Sequence, residues 1–142
     1  MRRVIATLGV LAAIVACPAT SAHVSAECIT NGENPKKRLD LYPVVFVGEV
    51  LGFESSDQRE FLAYRVRFRV IEAFRGIEVG ERILQIRQTA ESFTFAPSQR
   101  VLVYAHGTPN DYSTQCTATR VVVSDDREVL DLRRLSRVSL RR

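Results

Sequence analysis

The sequence predicts a mainly β domain, a small closed barrel or sandwich. Three observations lead there: five short segments with strand patterning, glycine- and proline-bearing turns between them, and a length that suits one core. Two well-separated cysteines, Cys28 and Cys116, bracket these segments behind an N-terminal export signal.

Met1-Arg2-Arg3 is a basic start, and 4–16 is an apolar stretch too short to span a bilayer comfortably but suited to a signal peptide. Small residues at Thr20-Ser21-Ala22 and Val24-Ser25-Ala26 suit ordinary cleavage after residue 22 or 26, the preferred reading. Ile14-Val15-Ala16-Cys17 also fits a bacterial lipobox, in which Cys17 is lipidated and becomes the first residue. The protein is expected outside the cytoplasm, secreted or periplasmic, with a lipid anchor on Cys17 as the alternative. Residues 1–26 are then leader, 27–126 the barrel and 127–142 a basic amphipathic segment.

An oxidising compartment makes two distant thiols a disulfide, so Cys28 is expected to pair with Cys116. Closing so long a loop contributes about 4 kcal/mol in the chain-entropy model. The mature chain would keep 116 of the 142 residues, enough for one core and too few for two. Twenty Lys and Arg against 16 Asp and Glu give +4; without Arg2 and Arg3 the balance is 18 against 16, or +2. That excess is no argument for nucleic acid.

After Cys28, Asn31-Gly32, Asn34-Pro35 and Lys36-Lys37-Arg38 read as loop and turn, and regular structure is expected to begin later. Residues 44–51 are β-branched and apolar, with Gly48 and Gly52 placed where a barrel strand bends. Residues 64–70 alternate: Tyr64, Val66, Phe68 and Val70 face the core, and Arg65, Arg67 and Arg69 face water. A turn at Arg75-Gly76 and Val79-Gly80 leads into 82–88, where Leu84 and Ile86 alternate with Gln85 and Arg87. Pro97 interrupts the chain before a largely buried strand at 100–105, and 116–123 is expected to supply the fifth. No internal helix is expected. Beyond Ser124-Asp125-Asp126, whose aspartates can cap a helix, Arg133, Arg134, Arg137 and Arg141 gather on one side and Val129, Leu132, Leu135 and Leu140 on the other. Packing on the barrel is the preferred reading of this helix; a hold on anionic lipid or another acidic envelope polymer is the alternative.

Val45-Phe46-Val47-Gly48-Glu49-Val50, Phe74-Arg75-Gly76, Phe95 with Arg100-Val101-Leu102-Val103-Tyr104-Ala105, and Cys116-Thr117-Ala118-Thr119 together resemble the bacterial relatives of tissue inhibitors of metalloproteinases. The resemblance implies a five-stranded OB-like barrel whose N-terminal segment is tied to the last strand through a cysteine, the role Cys28 and Cys116 would take. In the animal inhibitors the mature chain begins Cys-x-Cys, and the first cysteine's amine and carbonyl chelate the protease zinc. Here Glu27 precedes Cys28, Thr30 stands where the second cysteine would be, and Ala90-Glu91-Ser92 lacks its usual partner. The barrel looks inherited and the chelating wedge lost.

No catalytic site is expected, and no cofactor or metal. The histidines are His23, in the leader region, and His106, near Asp111; no nucleophile elbow or zinc-ligand spacing accompanies them. Glu49 and Glu72 read as rim carboxylates. Arg65, Arg67 and Arg69 are candidate polyanion contacts, with Arg133, Arg134, Arg137 and Arg141, but lie opposite in parity to the aromatics that a nucleic-acid platform needs. The expected function is that of a non-catalytic binding or inhibitory module with an extracytoplasmic protein partner, a protease among the candidates. The alternative is a structural envelope protein that recognises a polyanion or glycan.

Overall fold

The computed structural model describes residues 34–54, 63–89 and 91–139. The segment expected to be a leader, with Cys17, Cys28 and Arg141, lies outside these residues. The order is α1 (Pro35–Leu41), β1 (Val44–Glu54), β2 (Ala63–Arg75), β3 (Gly80–Arg87), β4 (Arg100–Thr108), β5 (Asp111–Ser113), β6 (Arg120–Val121) and α2 (Arg127–Ser139). Neighbouring strands run β1-β2-β3-β5-β4, and β4 pairs back to β1, so five strands close a barrel. The β3–β5 pair is parallel and the others are antiparallel. The fold is therefore mainly β, a five-stranded OB-like barrel with a short C-terminal helix.

β1 and β4 are buried on both faces, which is why they read as continuous apolar runs rather than alternations. Their inward residues, Phe46, Val50, Val101, Val103 and Ala105, join Val66, Phe68, Leu84, Ile86 and Phe95 in the barrel interior. Their outward residues, Val45, Val47, Leu102 and Tyr104, build a second core with Tyr42, Val122, Val129 and Leu132 under the two helices. β2 shows the expected alternation, with Val66, Phe68 and Val70 buried and the arginines between them exposed. β1 wraps two partners and must coil, and its register against β2 shifts at three points, the last between Val50 and Gly52. A Cβ on Gly48 would meet the Phe46 ring at 3.0 Å and the Arg69 carbonyl at 3.1 Å, so a side chain here would have to push its neighbours back by a few tenths of an ångström.

Two expectations are corrected. Residues 35–41 are a helix and not a loop: the Asn34 side chain accepts from the Lys37 amide at 2.9 Å, and Pro35 occupies the first turn, where its missing N–H is no loss. Seven residues cannot sustain a helix alone. Arg75 supplies what is missing by donating to the carbonyls of Leu39 at 2.6 Å and Asp40 at 2.8 Å. The strand that closes the barrel is β5 and not 116–123, where only Arg120 and Val121 pair, on the outer edge of β4. Cys116 adopts a left-handed conformation (φ 53°), which breaks any strand through it. Between β5 and β6 a side chain replaces the ladder. Thr119 Oγ1 accepts from the Tyr104 amide and donates to the Tyr104 carbonyl, both at 2.9 Å.

The two helices are bound to the barrel by charge. Glu128 accepts from Arg38 of α1 at 2.5 Å, from the Tyr104 hydroxyl of β4 at 2.8 Å and from Arg120 of β6 at 3.1 Å. Arg120 also grips Asp126, whose carboxylate caps α2 at the Val129 amide. Farther along α2, Arg133 forms a two-pronged pair with Glu72 of β2, both contacts at 2.6 Å. Hydrogen bonds from Arg120 and Arg133 hold Asp126 and Glu72 below the usual carboxylate range, against the opposing effect of burial. A carboxyl whose pKa is depressed by folding stabilises the fold above its unfolded value and loses that contribution as pH falls through the folded one. The melting temperature should therefore hold through neutral pH and fall below about pH 4.5. Glu72→Gln should lower it at neutral pH and flatten the acid slope. A variant slope identical to the parent's would show that this pair contributes nothing to acid sensitivity.

Candidate functional site

With the barrel interior filled by side chains, a ligand or partner must be met on the surface. Four places carry chemistry there, and the sequence singled out parts of three.

The first is the outer face of β2. Arg65, Arg67 and Arg69 all point to water, as expected, but two of them face carboxylates on β1: Glu54 lies 3.5 Å from Arg65 and Glu49 lies 3.5 Å from Arg69. Arg67 pairs in register with Gly52 and Ile83 and makes no ion pair among the described residues. Exposed pairs of this kind are worth roughly 0–1 kcal/mol and would yield to a strong competitor, yet they cancel most of the field a polyanion would feel. At the end of β3, Arg87 is likewise paired with Asp111.

The second is the loop between β5 and β6. His106 approaches the Gln115 carbonyl at 3.4 Å and stacks with Tyr42 at 6.5 Å, while Asp111 is engaged by Arg87. The geometry that would make His106 an oriented base is not formed. Cys116 sits in a turn held by hydroxyls: Thr117 donates to the Thr114 carbonyl at 2.9 Å and meets Thr119 at 2.7 Å.

The third is an aromatic mouth at the end of the barrel, which the sequence reading missed. The Phe53 ring lies tilted against Tyr64 with centroids 5.5 Å apart, and Tyr64 and Phe93 both meet Phe95 edge-on, at 6.5 and 4.9 Å. Phe53 remains 45% exposed. The register shift between Val50 and Gly52 carries Phe53 to the Tyr64 side, so simple alternation from Val50 does not place it. Burial raises the Tyr64 hydroxyl above its ordinary pKa despite a backbone hydrogen bond, so it stays a neutral phenol.

The fourth is the end of the domain where the helices meet. Of the four arginines grouped on the C-terminal segment, Arg133, Arg134 and Arg137 are among the described residues, and they do not act together. Arg133 is turned to Glu72, Arg134 reaches Asp131 at 3.4 Å while staying 80% exposed, and Arg137 is exposed. Asn34, Pro35 and Lys36 of the α1 end face Asp131, Arg134 and Leu135 of α2 across an open groove of ≈ 290 Å³. Lys36 and Lys37, expected in a turn, are exposed residues of α1.

Among the described residues no three metal-ligating side chains gather, and no helix is long and apolar enough to cross a membrane. No family model matches the chain, and no curated protein matches it.

The Thr119 hydroxyl should be worth more than its size suggests. Thr119→Val keeps the shape but leaves the buried Tyr104 amide and carbonyl without partners, a loss of about 2 kcal/mol. Urea unfolding should show that fall with an unchanged m-value. A loss within error of zero would mean that water or Thr117 takes over the bonds.

Proposed function

We propose that the protein is an exported, non-catalytic binding or inhibitory module built on a barrel like that of the metalloproteinase inhibitors, with the zinc-chelating N-terminus lost. The observation that carries this reading is the filled, closed barrel, with α1 joined directly to the N-terminal segment and fixed beside β4. Among the described residues the barrel interior is occupied by side chains, which leaves its outer surface to a protein partner. A Cys28–Cys116 bridge belongs to the same reading. Cys116 is engaged by a partner, and five residues separate Cys28 from Asn34, so the bridge would bring the mature N-terminus to the loop beside His106.

Mature protein beginning at Glu27 is expected to leave a panel of zinc metalloproteases active and to yield a Cys28–Cys116 peptide on non-reducing mapping. Removing Glu27, so that Cys28 supplies the free α-amine, is expected to create measurable inhibition. Tight inhibition with Glu27 in place, or two alkylatable thiols in the oxidised protein, would overturn the reading.

The aromatic mouth favours a second reading, recognition of a glycan, because the exposed Phe53 ring beside Tyr64 offers the apolar face on which a sugar stacks. Under it, Phe53→Ala should abolish retention on immobilised envelope polysaccharide and leave the melting curve nearly unchanged. Equal retention of the variant and the parent would remove the mouth from consideration.

A further inference from the structure

The cations of this surface are not distributed evenly. Along the barrel most arginines stand against carboxylates: Arg65 with Glu54, Arg69 with Glu49, Arg82 with Glu78, Arg87 with Asp111 and Arg100 with Glu72. At the helical end this compensation fails. Lys36, Lys37 and Arg137 are exposed and form no ion pair among the described residues, and Arg134 has only Asp131, the single carboxylate lining the groove, at 3.4 Å. Arg134 and Arg137 are three residues apart on α2 and share a face. Lys36 lies across the groove from Arg134, above an apolar floor of Pro35 and Leu135. Leu130, one turn earlier on α2, is 39% exposed.

We infer that this two-helix end is a docking surface for an anionic bilayer, in which Lys36, Arg134 and Arg137 meet lipid phosphates and the Pro35–Leu135 floor meets the acyl boundary. Charge complementarity selects an anionic partner. The apolar floor favours lipid over a fully hydrated acidic polymer. The residues differ from the arginine set grouped by helical periodicity: Arg133 is spent on Glu72, and α1 contributes lysines in its place. This surface is independent of the proposed inhibitory scaffold and of the aromatic mouth.

The test is co-sedimentation of the protein from Glu27 onward, whose described residues close the barrel and both cores without the leader. Vesicles of phosphatidylglycerol with phosphatidylcholine are compared with phosphatidylcholine alone. Binding is expected only to the anionic vesicles and is expected to fall with salt. K36Q/R134Q/R137Q should weaken it roughly a hundredfold, since each basic residue near such a surface contributes about fivefold. R67Q, on the barrel face, should bind like the parent. Circular dichroism of the triple variant checks that both helices persist, and the salt dependence of the parent stands even if that variant misfolds. Equal binding to neutral vesicles, binding indifferent to salt, or an equal loss in R67Q would overturn the proposal. So would complete displacement by soluble polyglutamate together with no sedimentation on anionic vesicles, which would assign the surface to an acidic polymer.

Discussion

Glu128 is the point on which the arrangement of this domain turns. A single carboxylate, mostly withdrawn from water, receives an arginine from α1, a tyrosine from β4 and an arginine from β6, and it belongs to α2. Two helices that no ladder holds are thereby fixed, with β4 and its short partner β6, around one group. The cost of desolvating such a charge is several kcal/mol, and two cations with a phenol are what make it tolerable. Burial and the neighbouring carboxylate push the Tyr104 hydroxyl far up, so the phenol remains a donor. Its neighbours drive Arg120 upward as well, chiefly through Asp126, so the cluster keeps its charges matched over the accessible pH range above the carboxylate transition. Removing Glu128 itself takes a partner from Arg38, Tyr104 and Arg120 at once.

The same economy of charge organises the exterior. Carboxylates on β1, on β2 and in the β4–β5 region sit opposite arginines, which turns a sequence rich in arginine into a surface of low local field. Where matching stops, at the α1–α2 end, the field is concentrated. A count of formal charge along the chain conceals this, because the excess is small and its location is a property of the fold alone.

Most of the barrel was legible because burial on one face writes a period of two into β2 and β3, and burial on both faces writes apolar runs into β1 and β4. The closing strand was not legible. Asp111–Ser113 is three residues long and is held by neighbours rather than by its own pattern, whereas 116–123 has strand-like composition but is diverted by the turn at Cys116 and by the Thr119 hydroxyl. α1 was missed because its apolar anchors, Leu39 and Tyr42, are few and its stability comes from Arg75 and Glu128, distant in sequence. At the candidate surfaces, the outward arginines of β2 followed from parity, while their carboxylate partners depended on register. The separation of Arg133 from Arg134 depended on which side of α2 meets Glu72.

The joining of the first helix to the last has a consequence for how the domain comes into being. Arg38 and Glu128 are 90 positions apart, and β1 cannot find β4 until most of the chain has passed. Few of the defining contacts are local, so loop-closure entropy must be met before they reward it, and folding is expected to be slow relative to a helical bundle. A polypeptide delivered from its N-terminus through a narrow channel would therefore stay pliable until its last turn of helix emerged. The outer core under α1 and α2 cannot close before α2 has been made, so its completion is the last step of assembly.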